Sequence, residues 1–160
     1  MQPEEMSDKA RELFKARMHC SQAVAMVGLE KLGLSEPDTI KALGAFGGGF
    51  GGCGKTCGAL VGAAAIIGAL YSRSSLEEKE NPRMWAATRK MVERFEELCR
   101  QYGGISCHEI AQVDWLDRDQ VKTFYTDPDS RRQHCIRLVG EAGRILGELL
   151  EQEKAREAAK

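Results

Sequence analysis

The stretch most informative about the fold reads Ala45-Phe-Gly-Gly-Gly-Phe-Gly-Gly-Cys-Gly-Lys-Thr-Cys-Gly-Ala-Leu-Val-Gly62 and holds eight glycines and two cysteines. So many glycines lose much backbone entropy on folding, so they indicate positive φ angles or a very close backbone approach. The residues that follow, up to Leu70, are rich in alanine and apolar on every face, which predicts a helix buried on all sides. We expect it to be the central helix of the fold, beginning near Cys57.

Cys57 falls in the first turn of this predicted helix. Unpaired backbone N–H groups and the positive end of the helix dipole stabilise a thiolate at such a position. Lys55 lies close by in sequence and adds a positive charge. The sequence therefore predicts a low pKa for the Cys57 thiol.

Helical periodicity accounts for the rest of the chain. It predicts one long helix from Ser7 to Leu32, with Cys20 on its buried face and Gly33 as its stop. Further helices are predicted at 39–46, from Pro82 to Tyr102, at the Ser106–Glu109 capping box, at 117–125 and after Asp127-Pro128. Cys107 is the first residue of the capping-box helix, and Cys135 lies on the apolar face of the last helix. No segment alternates like a strand, so we expect an all-α fold of about five to seven helices.

The length of 160 residues suits a single domain that buries a proper core without disulfide staples. We therefore predict one helical domain over 1–160, with a core of about 7–152 and a tail that frays beyond Glu153. The six cysteines are then surplus to stability and call for a chemical explanation.

Composition excludes several classes of partner. The net charge is −1, aromatic residues make up 6% and no basic stripe is present, so a nucleic-acid partner is not expected. The N-terminus lacks the pattern of a signal peptide and the apolar run 59–70 is too short for a bilayer, so we expect no membrane partner and a cytoplasmic location. In a reducing compartment, unexplained cysteines are more often metal ligands or redox thiols than structural bridges. A homodimer suits a small helical bundle, although no residue specifies one.

Residues Gly49–Thr56 match the phosphate-binding pattern G-x-x-x-x-G-K-[ST]. A P-loop requires a buried strand before it and a parallel sheet, whereas the residues before Gly47 are predicted to be helical, so nucleotide binding is disfavoured. A simpler cradle of backbone N–H groups for an anion or a cluster stays open. Its candidate members are Gly49, Gly51, Gly52, Gly54, Lys55 and Gly58.

The cysteines leave two chemistries open. In the first, thiolates from several elements surround an iron–sulfur cluster or another metal, although the chain lacks any Cys-x-x-Cys pair. In the second, Cys57 and Cys107 attack from helix starts while Cys20 and Cys135 resolve from buried faces, and no cofactor is needed. A third, non-enzymatic interpretation is a ligand-binding or scaffold protein in which Gly58 and its neighbours only allow close helix packing.

Four motifs occur in a distinctive order: His19-Cys20-Ser-Gln-Ala-Val24, Cys57-Gly-Ala-Leu-Val-Gly62, Tyr102-Gly-Gly-Ile-Ser-Cys107 and Cys135-Ile-Arg-Leu-Val139. In this combination the chain, from about Leu13 to Leu149, resembles the bacterial and archaeal C_GCAxxG_C_C family of proteins labelled redox-active. A related domain occurs in split-Soret cytochromes. The resemblance implies that the four characteristic cysteines are those in these motifs, that Cys53 and Cys99 are extras, and that a redox partner exists, which it does not identify.

We therefore expect one redox or metal-binding centre at the glycine-rich turn, formed by Cys20, Cys57, Cys107 and Cys135. Cys53 is a further candidate as a local partner of Cys57. A disulfide relay without a cofactor is favoured over an iron–sulfur cluster, because the cysteine spacing lacks a cluster signature.

Overall fold

A computed structural model describes residues 1–159, and these residues form eight α-helices and two short 3₁₀ turns. The helices are α1 (Pro3–Lys15), α2 (Cys20–Leu32), α3 (Pro37–Leu43), α4 (Gly58–Tyr71), α5 (Arg83–Cys99), α6 (Cys107–Ala111), α7 (Arg118–Thr126) and α8 (Arg132–Ala158). Apart from one isolated antiparallel bridge between Thr56 and Ser106, the described residues contain no β-structure. The all-α class predicted from the sequence is confirmed.

The first predicted helix is in fact two helices. α1 ends at Lys15, Arg17 adopts a left-handed φ of 79°, and α2 begins at Cys20. The backbone N–H of His19 donates to the side chain of Gln22 at 3.2 Å, as in a capping box with glutamine at its third helical position. The helices of residues 1–159 thus exceed the five to seven expected, and Cys20 begins a helix instead of lying inside one.

α1 and α8 pack against each other in opposite directions. A methyl group added at Gly140 would lie 2.2 Å from the Nε of Arg11, whereas one added at Gly147 would lie 2.7 Å from the sulfur of Met6. Positions later in α8 therefore face positions earlier in α1, as in an antiparallel pair. Glycines on α8 allow this close approach, because any side chain there would meet α1.

α2 and α4 run parallel, with their N-termini at the same end. A methyl group at Gly62 would lie 2.2 Å from the carbonyl oxygen of Ser21, near the start of both helices. One at Gly28 would lie 2.8 Å from the side chain of Ile66, farther along both. The unpaired N–H groups that begin the two helices are consequently neighbours.

α4 is the central helix, as the sequence predicts. It contacts α2, α5 and α8, and most of its side chains are buried. Its apolar character does not make it a membrane helix, because nowhere in residues 1–159 does a helix combine the length and hydropathy that crossing a bilayer requires.

A smaller core lies beside the main one. It is formed by α6, α7 and the segment between them, with Cys107, Val113 and Phe124 among its buried members. Cys135 of α8 packs against both cores. The two cores therefore meet beside a cysteine.

Glu153 anchors α8 to two other helices. Its buried carboxylate accepts hydrogen bonds from the hydroxyl of Tyr71 on α4 at 3.2 Å and from the Nε of Arg83 on α5 at 2.8 Å. The hydrogen bonds from Arg83 lower the pKa of Glu153 below its ordinary value. α8 continues past this anchor to Ala158, beyond the residue after which fraying was expected.

Replacing Gly62 by alanine should lower the free energy of unfolding, because the new methyl group meets the Ser21 carbonyl and forces α2 and α4 apart. Overpacking of this kind costs about 1–3 kcal/mol. Chemical denaturation followed by circular dichroism measures the change. Gly68→Ala on the same helix is the matched control, because nothing lies within 4 Å of the added methyl group, and it should stabilise the protein. Equal effects of the two substitutions would contradict the close parallel packing.

Glu153→Gln should lower the free energy of unfolding at neutral pH by about 1–3 kcal/mol, because Arg83 loses its charged partner. The pKa of Glu153 in the folded protein lies below the ordinary glutamate value of about 4.3. The carboxylate's contribution is therefore complete above that pH and is lost as the pH falls through the folded pKa. Urea denaturation should show the difference between wild type and variant shrinking in acid. Glu157→Gln, exposed on the same helix, is the control, and a difference independent of pH would argue against the ion pair.

Candidate functional site

The segment before α4 and the segment before α6 are paired through their backbones, and we call this pairing the backbone clasp. The N–H of Cys57 donates to the carbonyl oxygen of Ile105 at 2.9 Å. The N–H of Cys107 donates to the carbonyl oxygen of Lys55 at 2.6 Å. The clasp therefore places the starts of α4 and α6, each with its cysteine, side by side.

The glycine-rich loop folds back on itself to reach the clasp. At Gly49, where φ is 69°, an added methyl group would lie 2.5 Å from the carbonyl oxygen of Lys55 and 2.7 Å from the Cβ of Cys107. A side chain at this position is therefore excluded twice, by the backbone angle and by the lack of space. The close approach that the glycines indicate is an approach of the loop to itself and to α6.

Most of the backbone N–H groups of the glycine-rich loop donate to carbonyl oxygens of the loop or its entry. The N–H groups that donate to backbone carbonyls within the loop and its entry belong to Gly47, Phe50, Gly51, Gly52, Cys53, Gly54 and Lys55. The residues before the loop form α3 and a 3₁₀ turn rather than the buried strand of a P-loop. Both observations weigh against the nucleotide site and against the simpler anion cradle.

Four cysteines line one cavity of about 310 Å³. Cys20 is the first residue of α2, Cys57 caps α4, Cys107 is the first residue of α6 and Cys135 lies in the first turn of α8. All four therefore lie at or near the N-terminus of a helix. The sequence placed only two of them there and assigned the other two to inner faces.

The two extra cysteines lie elsewhere. Cys53 is exposed on the glycine-rich loop and does not line the cavity. Cys99 is fully buried in the main core, where burial raises the pKa of its thiol to about 12. The structure thus brings together the four cysteines that the motifs share and leaves both extras out.

Cys20 has the environment that best stabilises a thiolate. The Cys57 thiol, which hydrogen-bonds to the Cys20 sulfur, is the largest cause that lowers the pKa of Cys20, and the N–H groups of Ser21 and Gly58 act in the same direction. The same hydrogen bond, together with burial, raises the pKa of Cys57 well above its ordinary value. The sequence-based prediction of a low pKa at Cys57 is therefore wrong. The two parallel helices direct N–H groups at Cys20, and Cys57 serves it as a donor.

Burial dominates at the other two cysteines. It raises the pKa of Cys107 to about 11, although the N–H of Trp115 acts in the opposite direction without forming a hydrogen bond of regular geometry. Burial also raises the pKa of Cys135 above its ordinary value, and the nearby Cys20 adds to this shift. Both groups are thiols at neutral pH, so a position at a helix start does not by itself make Cys107 an attacking thiolate.

Aromatic side chains form another part of the cavity wall. The residues concerned are Phe14, Trp115, Phe124 and Tyr125. The rings of Trp115 and Phe124 meet edge to face, with their centroids 5.1 Å apart. Sequence analysis missed these residues, because they come from α1, α7 and the segment before α7 and share no spacing. The only available signal was the adjacent pair Phe124-Tyr125 in a chain poor in aromatic residues.

Two arginines lie over the ring of Tyr125. The guanidinium carbon of Arg17 lies 3.9 Å from the centre of the Tyr125 ring and that of Arg132 lies 5.3 Å from it. Cations over an aromatic face are attracted by the ring's quadrupole. The arginines therefore hold this part of the wall in place and make its surroundings positive.

The arrangement of the site does not present a ready metal centre. Within residues 1–159, no three His, Cys, Asp or Glu side chains are placed as ligands for a single metal ion. The cysteines instead face a shared cavity, in which the Cys57 thiol is the largest cause that lowers the pKa of Cys20.

The fold and the site define a class of protein: an all-helical bundle with cysteines gathered at converging helix N-termini. Comparison of the sequence with known families gives the family itself. Residues 18–149 match the family described as "Putative redox-active protein (C_GCAxxG_C_C)", and the chain belongs to it. Comparisons with curated proteins and with solved structures yield no significant match.

Cys20 should be alkylated by iodoacetamide faster than any other cavity cysteine at neutral pH. Replacing Cys57 by alanine should slow this reaction roughly tenfold, because Cys20 loses its largest stabilising contact. Peptide mass mapping after timed alkylation, over a range of pH, measures both effects. A Cys53→Ser background removes the exposed thiol, and Cys99→Ala serves as the control that leaves Cys20 unchanged. Faster alkylation of Cys57 than of Cys20 would reverse the assignment.

Proposed function

We propose that the protein carries out thiol–disulfide redox chemistry with Cys20 and Cys57 as its working pair. The observation that carries this proposal is the position of the Cys20 sulfur at the N-termini of the parallel helices α2 and α4, 2.6 Å from a methyl group built on Gly58, with Cys57 lining the same cavity. A low-pKa sulfur with a second thiol in hydrogen-bond contact is the arrangement that thiol–disulfide exchange requires. The redox label of the family supports the same chemistry.

The exchange proceeds in two steps. The Cys20 thiolate attacks one sulfur of a substrate disulfide, whose S–S bond breaks, and the departing substrate thiolate takes the proton of Cys57. Cys57 then attacks the Cys20 sulfur of the mixed disulfide and releases the second substrate thiolate. Two electrons have passed from the protein to the substrate, and the protein holds a Cys20–Cys57 disulfide. The reverse sequence oxidises a dithiol substrate.

The helix N-termini supply the electrostatic part of this mechanism. N–H groups at the starts of α2 and α4 point at the sulfur that carries the negative charge, and helix dipoles favour an anion there. Burial opposes the charge, but the hydrogen bonds outweigh it at Cys20. The site thereby favours ionisation at Cys20 over the neighbouring thiols, whose pKa values are raised.

Cys107 and Cys135 form a second pair in the same cavity. Each lies close enough to Cys20 for its pKa to respond to the charge there. We assign them as the pair that receives the disulfide from Cys20 and Cys57 by exchange. In this assignment the four thiols act as a relay.

Oxidation of the reduced protein with oxidised dithiothreitol should lower the count of free thiols by two in its first stage. Mass mapping should place the new bond between Cys20 and Cys57. The Cys20→Ser variant should lose this stage, because the attacking sulfur is absent. The matched controls are Cys53→Ser and Cys99→Ser, which change cysteines outside the cavity and should keep it.

The same anaerobic preparation should be analysed for metal and acid-labile sulfide. Stoichiometric iron and sulfide that disappear in Cys20→Ser would overturn the relay in favour of a cluster bound by the cavity cysteines. A metal-free protein whose thiol count never changes would also overturn it and would leave the cysteines a packing role.

A further inference from the structure

We propose that the substrate of this site is a small, neutral, planar cyclic dicarbonyl compound of the quinone class, which enters the cavity and accepts two electrons from Cys20 and Cys57. The inference deepens the proposed function and rests on it, because a quinone is reduced by a dithiol only if the pair forms a disulfide. Three features of the cavity carry it: its size, its apolar lining and one buried donor.

The first feature is size and access. The cavity measures about 310 Å³, at the small end of the roughly 300–1,000 Å³ of pockets that hold small molecules. Cys57 and Cys107 are each only 7% exposed, so a reagent reaches them through this space. A disulfide on the surface of a folded protein does not fit in such a volume, whereas a single substituted ring does.

The second feature is the chemistry of the wall. His19 lines the cavity but no Asp, Glu, Lys or Arg does, and the lining includes four aromatic side chains, those of Phe14, Trp115, Phe124 and Tyr125. A charged ligand would lose its hydration there without contacting the carboxylate, ammonium or guanidinium group of any lining residue, which is costly. A planar ring gains from edge-to-face and offset contacts with Trp115, Phe124 and Tyr125. The wall thus selects a neutral, planar ring.

The third feature is an unpartnered donor. The indole N–H of Trp115 is buried, and the nearby Cys107 sulfur does not meet it with regular hydrogen-bond geometry. Trp115 lines the cavity, where it packs against the backbone of the glycine-rich loop. A buried donor without an acceptor is unfavourable and calls for an explanation. A carbonyl oxygen on the ligand supplies the missing acceptor.

A quinone combines the three requirements with the right electron count. The Cys20 thiolate and the Cys57 thiol give up two electrons and the proton of Cys57 and form one S–S bond. The two carbonyl oxygens of the quinone take up those electrons, that proton and a second proton from water, and become the hydroxyl groups of the hydroquinone. The Cys20 thiolate adds to the quinone, and attack of Cys57 on the Cys20 sulfur releases the reduced ring with the electron pair.

Duroquinone is the probe for the redox step, because its four methyl groups prevent the stable thioethers that unsubstituted quinones form. Under anaerobic conditions, reduced Cys53→Ser protein should consume it with one hydroquinone formed for each Cys20–Cys57 disulfide. Absorbance follows the quinone, and mass mapping follows the disulfide.

Binding is measured separately by equilibrium dialysis of duroquinone in a Cys20→Ser background, where no electron transfer occurs. Trp115→Phe should raise the Kd about tenfold, because it keeps the ring and removes the donor. Trp85→Phe, which changes an exposed tryptophan on α5, is the matched control and should leave the Kd unchanged. Tetramethylhydroquinone should also slow alkylation of Cys107 in protein that keeps Trp115. This measurement tests whether the ring occupies the cavity, even if a Trp115 variant fails to fold.

The outcomes separate this proposal from the one on which it rests. If duroquinone is neither bound nor reduced while oxidised dithiothreitol still forms the Cys20–Cys57 bond, the quinone proposal is overturned and the thiol redox function stands. If duroquinone binds but no oxidant forms that bond, both are overturned. If the Kd is unchanged in Trp115→Phe and circular dichroism shows an intact fold, the Trp115 N–H does not bond to the ligand, and the proposal is contradicted.

Discussion

The hydrogen bonds of the backbone clasp are the constraint on which the site depends. To deliver the carbonyl oxygen of Lys55 to the N–H of Cys107, the loop before α4 has to turn back on itself within a few residues. Gly49 lies inside that turn, where neither the backbone angle nor the space admits a side chain. The glycine content is therefore explained by contacts within the protein, and a phosphate ligand is not needed to account for it.

The electrostatics of the cavity are decided by competition between burial and hydrogen bonding. Cys20 and Cys107 both begin a helix, yet the pKa is lowered at the first and raised at the second. A helix N-terminus is thus insufficient when the sulfur is desolvated. Cys20 differs because a second helix, α4, brings both the thiol of Cys57 and an N–H group to the same sulfur. The parallel packing of α2 and α4 is therefore what distinguishes one cysteine from the others.

Much of the fold follows from local sequence signals, whereas the roles within the site do not. The starts of α4 and α6 are predicted by the glycine-rich turn and by the capping box at Ser106. The break before Cys20 is not predicted, because neither glycine nor proline marks it and the apolar spacing continues across it. The one sequence signal for a helix start there is Gln22, whose side chain accepts a hydrogen bond from the backbone of His19. The low pKa is predicted at Cys57 instead of Cys20 for a similar reason, since the pKa values of both thiols depend on contacts between helices that are distant in sequence. The aromatic wall is likewise a product of tertiary packing.

The parallel pair α2 and α4 also couples oxidation to the stability of the whole chain. A bond between Cys20 and Cys57 closes a loop that contains α3, which is already tied to α2 by the Ser21 hydroxyl and the Leu43 carbonyl at 2.7 Å. Closing a loop of that length removes chain entropy from the unfolded state and stabilises the native state by on the order of 4 kcal/mol. Thermodynamic linkage works in both directions, so the native fold makes that bond correspondingly harder to reduce than it is in the unfolded chain. If the proposed bond forms, the oxidised protein is the longer-lived form under proteolysis, and the redox state of the cavity then sets how long the protein persists.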